Sequence, residues 1–427
     1  RARDRIPPSG HARPRLAHDQ QPGRSHQPQD RPDLFLTACG SDDNDLVFNG
    51  PNNGIPVNNI QDPVVKVTAY TGDGMPEVAA DSQLMTYKML GVDNKEVMAT
   101  ALVFVPTTVQ PANGWPIVAW AHGTTGVADK CAPSQQGLKG TQYLLQKLLA
   151  AGYVVVAPDY EGLGSPGNHP FLHLKSEAYS ITDAVVATRE YLNRQGKKAA
   201  PQWVTIGHSQ GGHAALGAAQ YASRAKLDYK GTIAIAPASN LAAILQGGEN
   251  AVKDQPTNIQ IPVLASLDTY TSLIVAGMQE HKISVSYAEV FKADTAKIAP
   301  IAEIECSDLV GAALGKGMTD YVSLPEHLGS LNGYGRNQDN FMLIPVIQNF
   351  LAKDSQPGTV KLSQPVIIYQ GGTDPTVPQA ATDLLKANAE AKGTKIQYIT
   401  NADWDHGTVY TSNFDSFVAN VKTLFAQ

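Results

Sequence analysis

Cysteine is scarce in this chain: Cys39, Cys131 and Cys306 among 427 residues are too few for a disulfide scaffold. No C-x-x-C or H-E-x-x-H spacing accompanies them, so no metal site is expected. No run of 18 apolar residues occurs, and no helix is expected to span a membrane. The body of the chain carries no basic stripe and no recognition motif, which argues against nucleic acid as a partner. No internal repeat is visible. What remains is 42% hydrophobic and 17% charged, with a formal charge of −6. That is the composition of an ordinary globular protein, long enough for one large domain with an insertion or for two ordinary ones.

Residues 1–33 are rich in Arg, Pro, His and Gln without hydrophobic periodicity, and no structure is expected there. The run Leu34-Phe-Leu-Thr-Ala-Cys39 resembles a bacterial lipobox, in which the cysteine would carry lipid. A continuous apolar stretch of about 7–15 residues is missing before it. The expectation is that residues 1–33 stand where an export signal would, with a chance L-T-A-C match as the alternative. Residues 40–63, full of Asp, Asn, Gly and Pro, read as a tether, so residues 1–63 together form a disordered tail and tether.

From Val64 the pattern turns to strands, with Val64–Tyr70, Gln83–Leu90 and Val97–Val105 as antiparallel entry strands. A buried strand then runs from Pro116 into His122-Gly123-Thr124-Thr125-Gly126. Helix Leu138–Ala150, strand Tyr153–Ala157, a helix from about Ser176 to Asn193 and strand Trp203–Ile206 follow. Strand and helix alternating at this spacing predict a mostly parallel, doubly wound sheet. Gly162-Leu-Gly164-Ser-Pro-Gly167 fits G-x-G-x-x-G, but Pro166 keeps it a loop and it is rejected as a dinucleotide site. Strands return at Thr232–Ala236, Pro365–Tyr369 and Lys395–Thr400, with helices from Pro378 to Ala391 and from Ser412 to Phe425. The expected division is a core of residues 64–237 and 361–427, interrupted by a helical cap at 238–360.

The stretch that organises the rest is Gly207-His-Ser209-Gln-Gly211, between a predicted strand and a helix of small residues. This is the context of a nucleophile elbow, a strained turn that lifts a serine hydroxyl above the end of a sheet. A serine needs an imidazole to take its proton and a carboxylate to fix the imidazole's tautomer. Asp374, just past strand Pro365–Tyr369, and His406, just past strand Lys395–Thr400, follow in the chain order Ser, Asp, His. Asp403 and Asp405 are less suitable because they share the histidine's own loop. The remaining histidines, His122, His169, His208 and His213 among them, are read as packing or surface residues. The oxyanion donors are expected to be the backbone N–H of Gln210 and that of Thr124, with Gly123 allowing close approach.

These segments, with Pro158-Asp-Tyr-Glu-Gly-Leu-Gly164 and Gln370-Gly-Gly-Thr-Asp374-Pro-Thr-Val-Pro378, resemble the α/β-hydrolase superfamily. More narrowly they are similar to the secretory lipase family of fungal lipase-A-type enzymes and bacterial relatives. The resemblance spans residues 122 to 407. It implies an α/β-hydrolase fold with a helical cap and a cofactor-free serine esterase or lipase acting outside the cytoplasm. Its substrates would be uncharged esters of short to medium acyl chains, small-molecule or lipid. A prolyl-oligopeptidase-type peptidase and a non-catalytic surface-binding protein stay open as alternatives. Cys131 lies just after the oxyanion loop and Cys306 in the cap, so a bridge between them would staple the two in an oxidising compartment.

Overall fold

The computed structural model describes residues 54–427. The expected unstructured segment and the lipobox-like Cys39 lie outside the described residues. The entry strands form as patterned: β1 (Val64–Ala69), β2 (Ala79–Leu90) and β3 (Glu96–Pro106) pair antiparallel. β4 (Trp115–Ala121), β5 (Val154–Pro158), β6 (Ala199–His208), β7 (Asp228–Ile235), β8 (Val366–Gly371) and β9 (Ile396–Asn401) run parallel to one another, with β3 antiparallel to β5. The strand order is β1-β2-β3-β5-β4-β6-β7-β8-β9. The chain leaves β4 for β5 on one side and returns to β6 on the other. The order therefore reverses at β4 and β6, and a crevice opens at their carboxyl ends.

The helices of nine or more residues are α1 (Gln142–Ala150), α2 (Leu174–Arg194), α3 (Gln210–Gln220), α4 (Leu241–Val252), α5 (Thr257–Glu280), α6 (Ser307–Val322), α7 (Gln379–Ala391) and α8 (Phe414–Phe425). Strands covered on both faces read as continuous apolar runs, and every residue of β5 is buried. On one face Leu144 and Leu148 of α1 and Phe417 and Leu424 of α8 pack on Val118, Val155 and Val204. On the other, Tyr179 and Ala184 of α2 and Ala214 and Ala218 of α3 pack on Ile117, Val156 and Trp203.

Between β7 and β8 the chain leaves the sheet and forms α4, α5 and α6 with short helical turns, around an apolar core that also takes in Val127, Phe171, Leu172, Val377 and Ala381. Helix α5 is long and apolar enough to cross a membrane, which the run-length reading did not anticipate, but 72% of its apolar window is buried inside the protein. Its Asp268 is fully buried and ion-paired with Arg336 at 2.7 Å. It is thus the central helix of the insertion.

One expectation needs correction. The last part of the predicted tether is bound to the core, because Arg224 is buried and a guanidinium has more donors than one carboxylate can satisfy. Arg224 donates to Asp183 through Nε (2.8 Å) and Nη2 (2.7 Å) and to the Pro56 carbonyl through Nη1 (2.8 Å). Asn58 in turn donates through Nδ2 to Asp183 at 2.8 Å.

Candidate active site

Ser209 sits between β6 and α3 with φ 61° and ψ −119°, a backbone conformation that a non-glycine residue adopts only when its surroundings enforce it. Its N–H donates to the Ile235 carbonyl of β7 at 2.9 Å, and its own carbonyl accepts from His213 at 3.1 Å and Ala238 at 3.2 Å. The flanking glycines allow this turn: a Cβ on Gly207 would lie 2.1 Å from the Gly211 oxygen, and one on Gly211 would lie 1.9 Å from the Ala121 oxygen of β4.

Asp374 follows β8 and His406 follows β9, and His406 Nδ1 lies 2.7 Å from Asp374 Oδ2. The other carboxylate oxygen accepts from the N–H groups of Thr376 and Val377, each at 2.8 Å. Asp374 is thereby fixed, and His406 Nδ1–H donates to it. Asp405 is engaged elsewhere: its Oδ1 accepts from the N–H groups of Gly407 and Thr408. The Thr408 backbone bond, foremost among these contacts, holds the Asp405 carboxyl below its ordinary range. Ser209 and His406 line one cavity of about 350 Å³ together with Gly123, Thr124 and His208.

His208, expected to be a packing or surface residue, packs beside His406. It donates through Nε2 to the His406 carbonyl at 2.8 Å and stacks on Tyr410, 5.1 Å between ring centres. Burial and then the neighbouring His406 push its pKa down to about 3, so it is neutral and serves as a fixed donor. Its signal in the sequence is only its place before the serine. His122 is also neutral, since burial lowers it to about 4. Its two ring nitrogens face the carbonyls of Gly123 (2.7 Å) and Asp159 (3.0 Å), and a neutral ring donates to only one of them. Asp159 itself is fully buried, and burial pushes its carboxyl up to about 6 against hydrogen bonds from Ser134 and Thr100.

The expected oxyanion donors are close to Ser209. Gln210 is the first residue of α3, where N–H groups have no acceptor within the helix. A Cβ on Gly123 would lie 3.8 Å from Ser209 Cβ, so the loop carrying Thr124 runs directly beside Ser209. This loop is tied to the insertion. Ser307 N–H donates to the Thr125 carbonyl at 2.9 Å, Gly126 bridges to Cys306, and Cys131 and Cys306 form a disulfide. The bridge closes a loop with a sequence separation of 175 residues, for which the chain-entropy ceiling is about 5 kcal/mol. Replacing both cysteines by alanine is expected to lower stability by about 2–5 kcal/mol in urea unfolding. Alkylation of both thiols in denatured, unreduced protein would show that no bridge forms.

Ser209 also faces a second, smaller cavity of about 40 Å³, lined by Phe171, Leu172, Leu241, Ile244, Tyr270, Val377 and other mostly apolar residues. Thr124, Ser209 and Tyr270 line both cavities.

The sequence profile of the family described as "Alpha/beta hydrolase family" matches residues 118–419. No curated protein matches the sequence significantly. Among solved structures, Candida antarctica lipase A in its closed state is similar at 18% identity and a TM-score of 0.67, over 86% of this chain and 83% of that one. The rice cell wall degrading esterase LipA from Xanthomonas oryzae is similar at 21% identity and a TM-score of 0.62, over 85% of this chain and 98% of that one. At these identities the likeness is one of fold: a mostly parallel sheet flanked by helices.

Proposed function

We propose, from the premise that this chain belongs to the alpha/beta hydrolase family, that it is a serine carboxylic-ester hydrolase working through Ser209, His406 and Asp374. The observation that carries this reading is the 2.7 Å contact between His406 Nδ1 and Asp374, on a histidine that shares a cavity with a serine in strained elbow geometry. With Nδ1–H donated to Asp374, His406 Nε2 is free to take the Ser209 proton as the hydroxyl attacks the ester carbonyl. The N–H groups of Gln210 and Thr124 receive the oxyanion. His406 then returns the proton to the leaving alcohol, and water repeats the cycle on the acyl-enzyme. An esterase and a lipase among the structural neighbours support the same class. The disulfide supports action outside the cytoplasm, and the helical insertion between β7 and β8 is read as a cap over the site.

The leaving alcohol departs on the side of the acid that protonates it. That places the alcohol in the roomier cavity lined by His406 and the acyl chain in the apolar cavity beneath the insertion. A water-sized group needs about 10–15 Å³ of such space, so about 40 Å³ takes roughly three. Burial contributes about 0.8 kcal/mol per CH₂, or about three- to fourfold in kcat/KM. The expected profile for p-nitrophenyl esters rises from acetate to about butyrate and then falls. A steady fall from acetate upward would remove the acyl role of this cavity.

The reading as a whole is tested by a fluorophosphonate probe, which should label Ser209, and by comparing p-nitrophenyl esters with aminoacyl-anilides. No labelling would remove the enzyme, and a preference for anilides would make it a peptidase.

A further inference from the structure

Behind the nucleophile lies a cluster of buried polar side chains that the proposed chemistry does not use. Glu177, near the start of α2, is fully buried, as are His169 and His213. Its Oε1 accepts from the Leu172 N–H at 3.1 Å and from Gln210 Nε2 at 2.8 Å, and its Oε2 lies 2.6 Å from His213 Nδ1. The second Gln210 amide hydrogen points to His169 Nε2 at 2.9 Å, while His169 Nδ1 donates to the Glu161 carbonyl at 2.8 Å. His213 Nε2 reaches the carbonyl of Ser355, in the β7–β8 insertion, at 2.9 Å. Burial pushes the Glu177 carboxyl up, but the neighbouring His213, foremost, and hydrogen bonding outweigh it and hold the group down at about 2. It is therefore an ionised carboxylate in the interior.

Its partners share a location. Leu172 and Gln210 both line the apolar cavity beside Ser209. Leu172 is a non-glycine residue at φ 57°, and such backbone persists only where contacts fix it; the bond from its N–H to Glu177 is one of them. Gln210 is the residue whose backbone N–H is assigned to the oxyanion. A carboxylate accepts at both oxygens, whereas an amide in its place keeps one accepting oxygen and turns its N–H groups toward either these donors or His213 Nδ1.

We propose that Glu177 is a positioning residue for acyl selectivity: one buried carboxylate holds two walls of the acyl cavity, Leu172 and Gln210, and through His213 couples them to Ser355 of the insertion. This rests on the serine-esterase reading above. A merely structural role for Glu177 would lower the fraction of active enzyme and scale all substrates alike. A positioning role changes the ratio between them, which active fraction cannot move.

The experiment measures kcat/KM for p-nitrophenyl acetate, butyrate and hexanoate on the wild type and on Glu177→Gln, with active sites titrated by a fluorophosphonate. The expected result is a butyrate-to-acetate ratio at least about fivefold lower in the variant, with Ser209 still labelled. Gln210→Met keeps the backbone N–H but releases the side chain from Glu177, and it should shift the ratio in the same direction. An unchanged ratio in both Glu177→Gln and Gln210→Met overturns the proposal. If Glu177→Gln is insoluble, an unchanged ratio in Gln210→Met overturns it. A wild type that neither labels nor cleaves esters would instead remove the serine-esterase reading beneath it.

Discussion

Ser209→Ala is expected to lower kcat on a p-nitrophenyl ester by about 10⁴–10⁶-fold while circular dichroism and melting temperature stay those of the wild type. His406→Ala should fall in the same range, because nucleophile and base act as one unit and losing either leaves only oxyanion stabilisation and binding. Asp374→Asn tests the assignment of the acid. The amide would still accept the N–H bonds of Thr376 and Val377, but it could present an N–H to His406 Nδ1 and so favour the wrong tautomer. The expected loss is about 10⁴-fold. Retention of more than about a tenth of activity in Asp374→Asn would shift the role to Asp403 or Asp405. Asp405 already spends an oxygen on the turn at Gly407 and Thr408, so Asp405→Asn is expected to leave most of the activity.

Gly211→Ala is the largest expected effect on stability. The added Cβ would lie 1.9 Å from the Ala121 oxygen and 2.5 Å from its carbonyl carbon. Both are backbone atoms of β4 at the centre of the sheet, so no side-chain rotation relieves the overlap. Either α3 moves off the sheet or β4 is displaced. A cost above about 4 kcal/mol is expected, at the severe end for single substitutions. At roughly 2.1 cal/mol/K of unfolding entropy per residue, that is a fall in Tm of about 5 °C or more for a fold of this size. A Tm within about 1 °C of the wild type would mean that the turn has slack that its geometry does not show. Gly207→Ala makes a like prediction, since its Cβ would lie 2.1 Å from the Gly211 oxygen. Both variants should also lose esterase activity, because the displaced segment carries Ser209.

The sequence alone determined the sheet and the places where its strands end. Period-2 and continuous apolar runs are local signals, and every strand expected between Val64 and Thr400 lies within a few residues of an observed one. The elbow was legible for a related reason: a turn this tight excludes Cβ atoms, and that exclusion is written as glycines at fixed spacing around Ser209. That Asp374 and His406 would meet was legible through topology, since a parallel sheet brings the loops after successive strands to one edge.

What only the tertiary structure decided depends on partners far apart in sequence. Pro56 and Asn58 read as linker, yet the unmet donors and acceptors of the buried Arg224 and Asp183 bind them. His208, His169 and His213 have no periodic signature as polar positions, because a buried hydrogen bond depends on where the other atom comes from. For His213 that atom is the carbonyl of Ser355, 142 residues away. Helix α5 has the composition of a membrane span and is instead the core of an insertion, a choice made by the apolar surface packed against it. The division of the space around Ser209 into a small apolar cavity and a larger one was likewise invisible. Thr124, Ser209 and Tyr270 of the insertion line both, and cavity walls are set by packing between layers, for which a linear pattern carries no period.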